Sequence, residues 1–140
     1  MKADRPYPTC AVTPKAEAAI LKGHPWVYAD EITAAPDPAP ENGGVVDVLS
    51  RKGRYLGSGL WSEASKIRVR LLSRNANDRF DESFWRRRIE YAWAYRKAIY
   101  PPQDLQCCRV VFGEADGLPG LTVDRFGPIL SVQILSFGMD

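Results

Sequence analysis

The strongest constraint in this 140-residue sequence is the run SFWRRRIEYAWAYRKAI at residues 83–99, closed by Pro101-Pro102. Trp85, Ile89, Ala92 and Trp93 share one stripe at helical spacing, the pattern of an amphipathic helix, and the double proline forbids its continuation. Asp81 is placed to cap the first turn, with Phe80 before it and Trp85 four residues in as a hydrophobic staple. A helix with two tryptophans on one face needs a packed surface to cover them. The strand candidates after it, Arg109 to Phe112, Leu121 to Asp124 and Ile129 to Ile134, supply one. The Arg86-Arg87-Arg88 run winds around the helix, so one of the three must approach the packed side.

What precedes the helix has a different period. Thr13 can cap a short helix that starts at Pro14 and ends at Gly23, with Ala16, Ala19 and Ile20 as its apolar face. Trp26-Val27-Tyr28 reads as a strand, and AAPDPAPENGG at 34–44 as a surface loop. Three strands follow, Val45 to Leu49, Tyr55 to Trp61 and Lys66 to Leu72, the first two joined by a hairpin at Lys52-Gly53. Short strands separated by turns predict a small barrel or sandwich. The chain therefore divides into residues 1–74, a barrel-like module, and residues 75–140, a helix with strands.

Charge is concentrated in the first of these. Residues 51–74 hold seven bases, Arg51, Lys52, Arg54, Lys66, Arg68, Arg70 and Arg74, against the single acid Glu63, which points to an anionic partner. In the third strand Ile67, Val69 and Leu71 alternate with Lys66, Arg68 and Arg70, so three cations line one face about 6–7 Å apart. Tyr55 and Trp61 lie close by in sequence, and aromatics beside phosphate-binding bases suit RNA. Outward charges on a strand are more often simply solvated; the local excess is what favours nucleic acid.

Other candidate motifs reduce to structure. Leu118-Pro119-Gly120-Leu121 fits a type II turn, and the nearby Glu114, Asp116 and Asp124 are ordinary turn acids rather than a metal or acid/base site. Gly57-Ser58-Gly59 sits inside a strand pattern with no helix after it, which predicts a bulge or close backbone approach rather than a nucleotide loop. His24 is the only histidine and Cys10, Cys107 and Cys108 have no partner base, so no nucleophilic centre is expected. The N-terminus lacks a signal-peptide core, and the apolar run Ile129 to Leu135 is broken by Ser131 and Gln133. A cytoplasmic protein with no membrane span is expected.

LKGHPWVYADEI (21–32) with KIRVRLLS (66–73) resembles the PUA domain, an RNA-binding pseudo-barrel, as it occurs at the start of bacterial S-adenosylmethionine-dependent large-subunit rRNA cytosine-C5 methyltransferases. FGEADGLPGLTVDRFGPILSVQ (112–133) resembles the segment that opens that family's central domain. The resemblance implies an α+β fold: a PUA-like β pseudo-barrel, then a long helix and an incomplete central domain. It implies RNA contacts at Lys22, Gly23 and His24, with Arg68 and Arg70 on the strand, and large-subunit rRNA as the partner. The family's S-adenosylmethionine site and catalytic cysteine lie in a domain that this sequence does not carry, so no catalytic, cofactor-binding or metal-binding residue is expected here. The alternative is a free-standing RNA-binding module or adaptor, with a catalytic domain or partner protein seated on residues 105–140.

Overall fold

A computed structural model describes residues 4–140. The chain forms two compact units, residues 1–76 and 77–140, and the architecture is α+β.

In the first unit the described residues form six strands and one α-helix. The strands are β1 (Thr9–Val12), β2 (Trp26–Tyr28), β3 (Ile32–Ala34), β4 (Val45–Ser50), β5 (Tyr55–Trp61) and β6 (Ile67–Ser73), and the helix α1 is Pro14–Leu21. They make one curled sheet, a half-barrel, in the order β2-β6-β5-β4-β1-β3. All pairs are antiparallel except β1 with β4. The sequence signals for β1 and β3 are too short to register, yet both find partners: Val12 is in register with Ile32 and with Ser50.

The core is apolar and tightly built. Val12, Ile20, Val27, Val46, Val48 and Val69 are each completely buried, and α1 contributes Ala16 and Ile20 as its pattern requires. Gly57 and Gly59 let the sheet curl. A Cβ on Gly59 would stand 2.4 Å from the Arg70 carbonyl oxygen and 2.7 Å from Val69 Cγ1, so the close backbone approach read from the sequence is physical. The register of β5 against β6 shifts at Ser58/Gly59, the bulge that such a bend needs.

Between these glycines, Ser58 faces the other way into a buried polar network. Its hydroxyl donates to Asp47 Oδ1 at 2.6 Å and lies 2.7 Å from the Tyr55 hydroxyl. Arg5 donates to both Asp47 oxygens, at 2.6 and 3.0 Å, and to Ser58 Oγ at 2.9 Å. The same guanidinium donates to the Ala76 carbonyl and lies over the Tyr7 and Tyr55 rings. The Asp47 hydrogen bond and charge outweigh the opposing effect of burial and raise the Arg5 pKa.

In the second unit α2 (Glu82–Ile99) packs on a sheet of β7 (Cys107–Phe112), β8 (Leu121–Phe126) and β9 (Ile129–Ile134). Asp81 caps α2 through the Phe84 N–H at 3.0 Å. Phe80 packs onto Phe84, with ring centroids 4.8 Å apart. The buried ridge is displaced from the expected stripe. Phe84, Ala92 and Arg96 are buried, Arg88 is half-buried, and Ile89 is 47% exposed. An i, i+4 ridge with arginines at two of its four positions does not look apolar in sequence, although their long stems pack like hydrophobes.

Leu118 to Leu121 makes the expected turn: the Leu121 N–H donates to the Leu118 carbonyl at 3.0 Å and Gly120 has φ +80°. Asp116, two residues before it, is held by the two terminal nitrogens of Arg96 at 2.7 and 2.8 Å and accepts the Phe112 N–H at 2.6 Å. Asp124 takes Arg109 in the same forked manner. Both carboxylates are thus engaged by arginines. Among the described residues no helix is long and apolar enough to cross a membrane.

Candidate nucleic-acid interface

The end of α1 is shaped by backbone chemistry. The His24 N–H donates to the Ala19 carbonyl at 3.0 Å and the Gly23 N–H to the Ile20 carbonyl at 2.9 Å, while Gly23 adopts φ +98°. This paired closure is the Schellman motif, which favours glycine at that position. It leaves Lys22, Gly23 and His24 exposed at the tip where the chain turns into β2. His24 is tied to the strand in either tautomer, because Nδ1 lies 3.2 Å from the Trp26 nitrogen and 3.0 Å from the Trp26 carbonyl oxygen.

Strand β2 then alternates. Val27 is buried in the core, and Trp26 and Tyr28 project to the other side, half-exposed. The three rings of His24, Trp26 and Tyr28 form a cluster with centroid separations of 5.9 to 6.5 Å. Trp26 is the register partner of Arg70 on β6, and the Arg70 guanidinium lies 5.3 Å from the centre of the indole. The structure therefore brings Lys22, Gly23, His24 and Arg70 to neighbouring positions around β2 and β6. Arg68 is on the same strand as Arg70, its guanidinium 5.5 Å from the centre of the Trp61 ring and donating to the Glu63 carbonyl.

The aromatic half of the sequence reading needs correction. Trp61 is only 7% exposed and belongs to the hydrophobic core, and Tyr55 is half-buried in the Arg5 and Asp47 network. Trp26 and Tyr28 are half-buried like Tyr55, and the alternation around Val27 puts them on the side of β2 away from the core. The seven bases are also divided. Arg51, Lys52 and Arg54 sit in the turn between β4 and β5, and Lys66 precedes β6.

Cys10 is not poised as a nucleophile. Burial pushes the Cys10 thiol up to about 12, far from the thiolate that a nucleophile requires. Cys107 is exposed on β7, and Cys108 directs its sulfur to the Leu105 carbonyl at 3.7 Å.

Comparison with known proteins places this geometry. Residues 11–74 match the model of the PUA-like domain. The chain is 37% identical over 127 residues to Ribosomal RNA large subunit methyltransferase I of Shewanella denitrificans, covering 91% of this chain and 32% of that protein. It is 34% identical over 134 residues to the protein of the same name from Salmonella typhi, covering 96% and 33%. Among solved structures, a Streptococcus mutans chain described as a SAM-dependent methyltransferase superposes with TM-score 0.76 at 17% identity, over 93% of this chain and 33% of that one. That likeness shows the fold. The chain thus spans about one third of the length of the curated relatives it matches.

Neither glycine-rich stretch forms an open cofactor loop. The space beside Gly57 and Gly59 is filled by the Ser73 and Arg70 carbonyls, and Gly113 to Gly120 closes a turn between β7 and β8 rather than opening a helix. A cofactor cradle of the glycine-rich kind needs an open loop leading into a helix N-terminus. By sequence, this chain is similar to about one third of Ribosomal RNA large subunit methyltransferase I, and its residues 11–74 match the PUA-like domain.

Proposed function

We propose that this chain is the RNA-holding portion of a large-subunit rRNA methyltransferase that forms 5-methylcytosine, working in the cytoplasm with S-adenosylmethionine bound outside residues 1–140. The domains would be 1–74, which binds RNA, and 75–140, which begins a central domain. The observation that carries the reading is the basic and aromatic surface of β2 and β6 on a PUA-like domain. Lys22, His24, Arg68 and Arg70 would take phosphates, and Gly23 would let the backbone come close to the RNA. Phosphate contacts fix register without reading sequence, which leaves base extrusion and methyl transfer to the rest of the enzyme.

Arg68→Ala combined with Arg70→Ala should weaken binding of a structured rRNA fragment and flatten its dependence on salt. Two lost contacts reduce the slope of log K against log salt by roughly 1.4 for single-stranded RNA. Fluorescence anisotropy between 50 and 300 mM salt reads both quantities. Unchanged affinity and slope would remove β6 from the interface.

A second reading, an RNA-binding adaptor with a protein partner on residues 105–140, draws on β9. Leu130 and Val132 are 60% and 56% exposed, and Leu135 beyond the strand is 66% exposed. The intact mass of the native polypeptide separates the two readings. We expect a value near three times the 15.7 kDa of this chain; 15.7 kDa itself would leave the adaptor.

A further inference from the structure

We propose that the turn between β4 and β5 is a second phosphate-binding element for RNA, in which Arg51, Lys52 and Arg54 hold the sugar–phosphate backbone at the end of the half-barrel where α1 begins. This deepens the RNA-binding reading, on which it rests, by adding a contact separate from Lys22, Gly23, His24, Arg68 and Arg70.

The turn is built to present charge. Ser50, buried at the end of β4, donates its N–H to the Arg54 carbonyl at 2.8 Å, and its own carbonyl accepts the Gly53 N–H at 2.9 Å. Its hydroxyl accepts the Lys52 and Arg54 N–H groups at 3.3 and 3.1 Å. Gly53 completes the reversal with φ +79°, and a Cβ there would meet nothing within 4 Å, so the tip of the turn is open. A backbone fixed in advance costs a ligand less ordering on binding. On this frame Arg51, Lys52 and Arg54 are all exposed, and none of them forms an ion pair with another described residue. The sequence holds no acid between Asp47 and Glu63, and Asp47 is already engaged by Arg5. Three cations so close repel one another, and a row of phosphates relieves that repulsion.

The topology continues this charge toward the tip of α1. Strands β1 and β4 run parallel and finish together at Val12 and Ser50. From there α1 carries the chain to Lys22 and on to β2, a span of about 12 Å for its eight residues. Lys15 is exposed in its first turn, and Arg74, exposed beyond the end of β6, lays its stem beside Gly57 of β5. The acids that the chain places nearest this end are Glu17, Asp30 and Glu31, against Lys15, Lys22, Arg51, Lys52, Arg54 and Arg74. One RNA strand lying along α1 therefore meets cations at both ends of the helix. Phosphates repeat along a strand whatever its bases, so the turn supplies affinity and register rather than sequence choice.

The test uses the whole chain and the structured rRNA fragment. Arg51→Ala, Lys52→Ala and Arg54→Ala combined should lower affinity roughly tenfold and reduce the slope of log K against log salt by about 2 for single-stranded RNA. Arg51→Lys with Arg54→Lys keeps the charge and should keep the slope. An equal loss of charge on α2, through Arg86→Ala, Arg87→Ala and Lys97→Ala, should leave the slope as it is in the wild type. Wild-type affinity and slope in the alanine variant of the turn, a lysine variant as weak as the alanine one, or the same loss from the α2 variant would overturn the turn as a phosphate contact while leaving RNA binding intact. Failure of the wild-type chain to bind the fragment would overturn the RNA-binding reading as well.

Discussion

Asp116→Ala should unfold the second unit under conditions where the wild-type chain keeps it folded. The carboxylate and Arg96 are each about 8% exposed and are joined by two short bonds. Removing one partner of a buried pair leaves the other charge stranded, at a cost of about 3–5 kcal/mol. A domain of this size has only about 3–10 kcal/mol in total at 0.05–0.15 kcal/mol per residue. The loss extends beyond the pair, because Asp116 also accepts the Phe112 N–H and Arg96 Nε donates to the Arg109 carbonyl. Restoring neutrality with Arg96→Met would therefore recover only part of the deficit. Amide exchange resolved by residue is the measurement: protection in β7 and β8 should collapse, while protection in β4 and β5 persists. Persistence of protection in β7 would mean that the pair contributes little.

The same pair sets a response to acid. Burial alone pushes the Asp116 carboxyl up, but the Arg96 guanidinium and the Phe112 N–H together outweigh it and hold the group below its ordinary range. A folded-state pKa below the unfolded value of about 3.9 means that the stabilisation is present above that pH and fades as pH falls through the folded value. Asp116→Ala should lack this part of the acid dependence, so the gap between wild type and variant narrows as the pH drops.

Local signals in this sequence were readable, and long-range pairings were not. Thr13, Pro14 and Gly23 bracket α1 because a cap, a first-turn proline and a left-handed glycine act within a few residues of one another. The turn at Leu118 to Leu121 and the cap at Asp81 are legible for the same reason. The buried ridge of α2 is not. Arg96 is separated by 20 residues from the aspartate that permits its burial, and a charge without its partner in view looks solvent-facing.

The candidate interface divides along similar lines. Lys22, Gly23 and His24 sit at the exposed tip that their turn chemistry suggests, and Arg68 and Arg70 alternate as their strand requires. Trp61 failed as a surface aromatic because composition records that rings are near bases without recording which side of the sheet they occupy. Trp61 is used to fill the half-barrel, and Arg68 lies over it. The rings beside Arg70 and His24 are those on β2, a strand of three residues whose outward parity becomes apparent only once Val27 is known to be buried.

Arg5→Ala is expected to be the most damaging single change in the first unit, although the residue stands almost at the start of the chain. Asp47 is 3% exposed on β4, between two fully buried valines, and Arg5 supplies the opposing charge through two bonds. Without it the carboxylate keeps only the Ser58 hydroxyl among these partners, and the loss should again be about 3–5 kcal/mol. Asp47→Asn should cost less. The amide can still accept from Ser58, and Arg5, on a segment outside the sheet, can turn to water, which Asp47 in mid-strand cannot do. This asymmetry distinguishes a stranded carboxylate from a mere loss of contacts, for which the two variants would be equivalent. Thermal unfolding at neutral pH measures it, with the larger drop in Tm expected for Arg5→Ala. RNA affinity measured well below both transitions should be unchanged in either variant, because the network is buried on β4 and β5 whereas the proposed contacts lie on β2, β6, the tip of α1 and the exposed turn at 51–54. An RNA affinity that fell along with stability would instead couple the buried network to the interface through the β5 and β6 register.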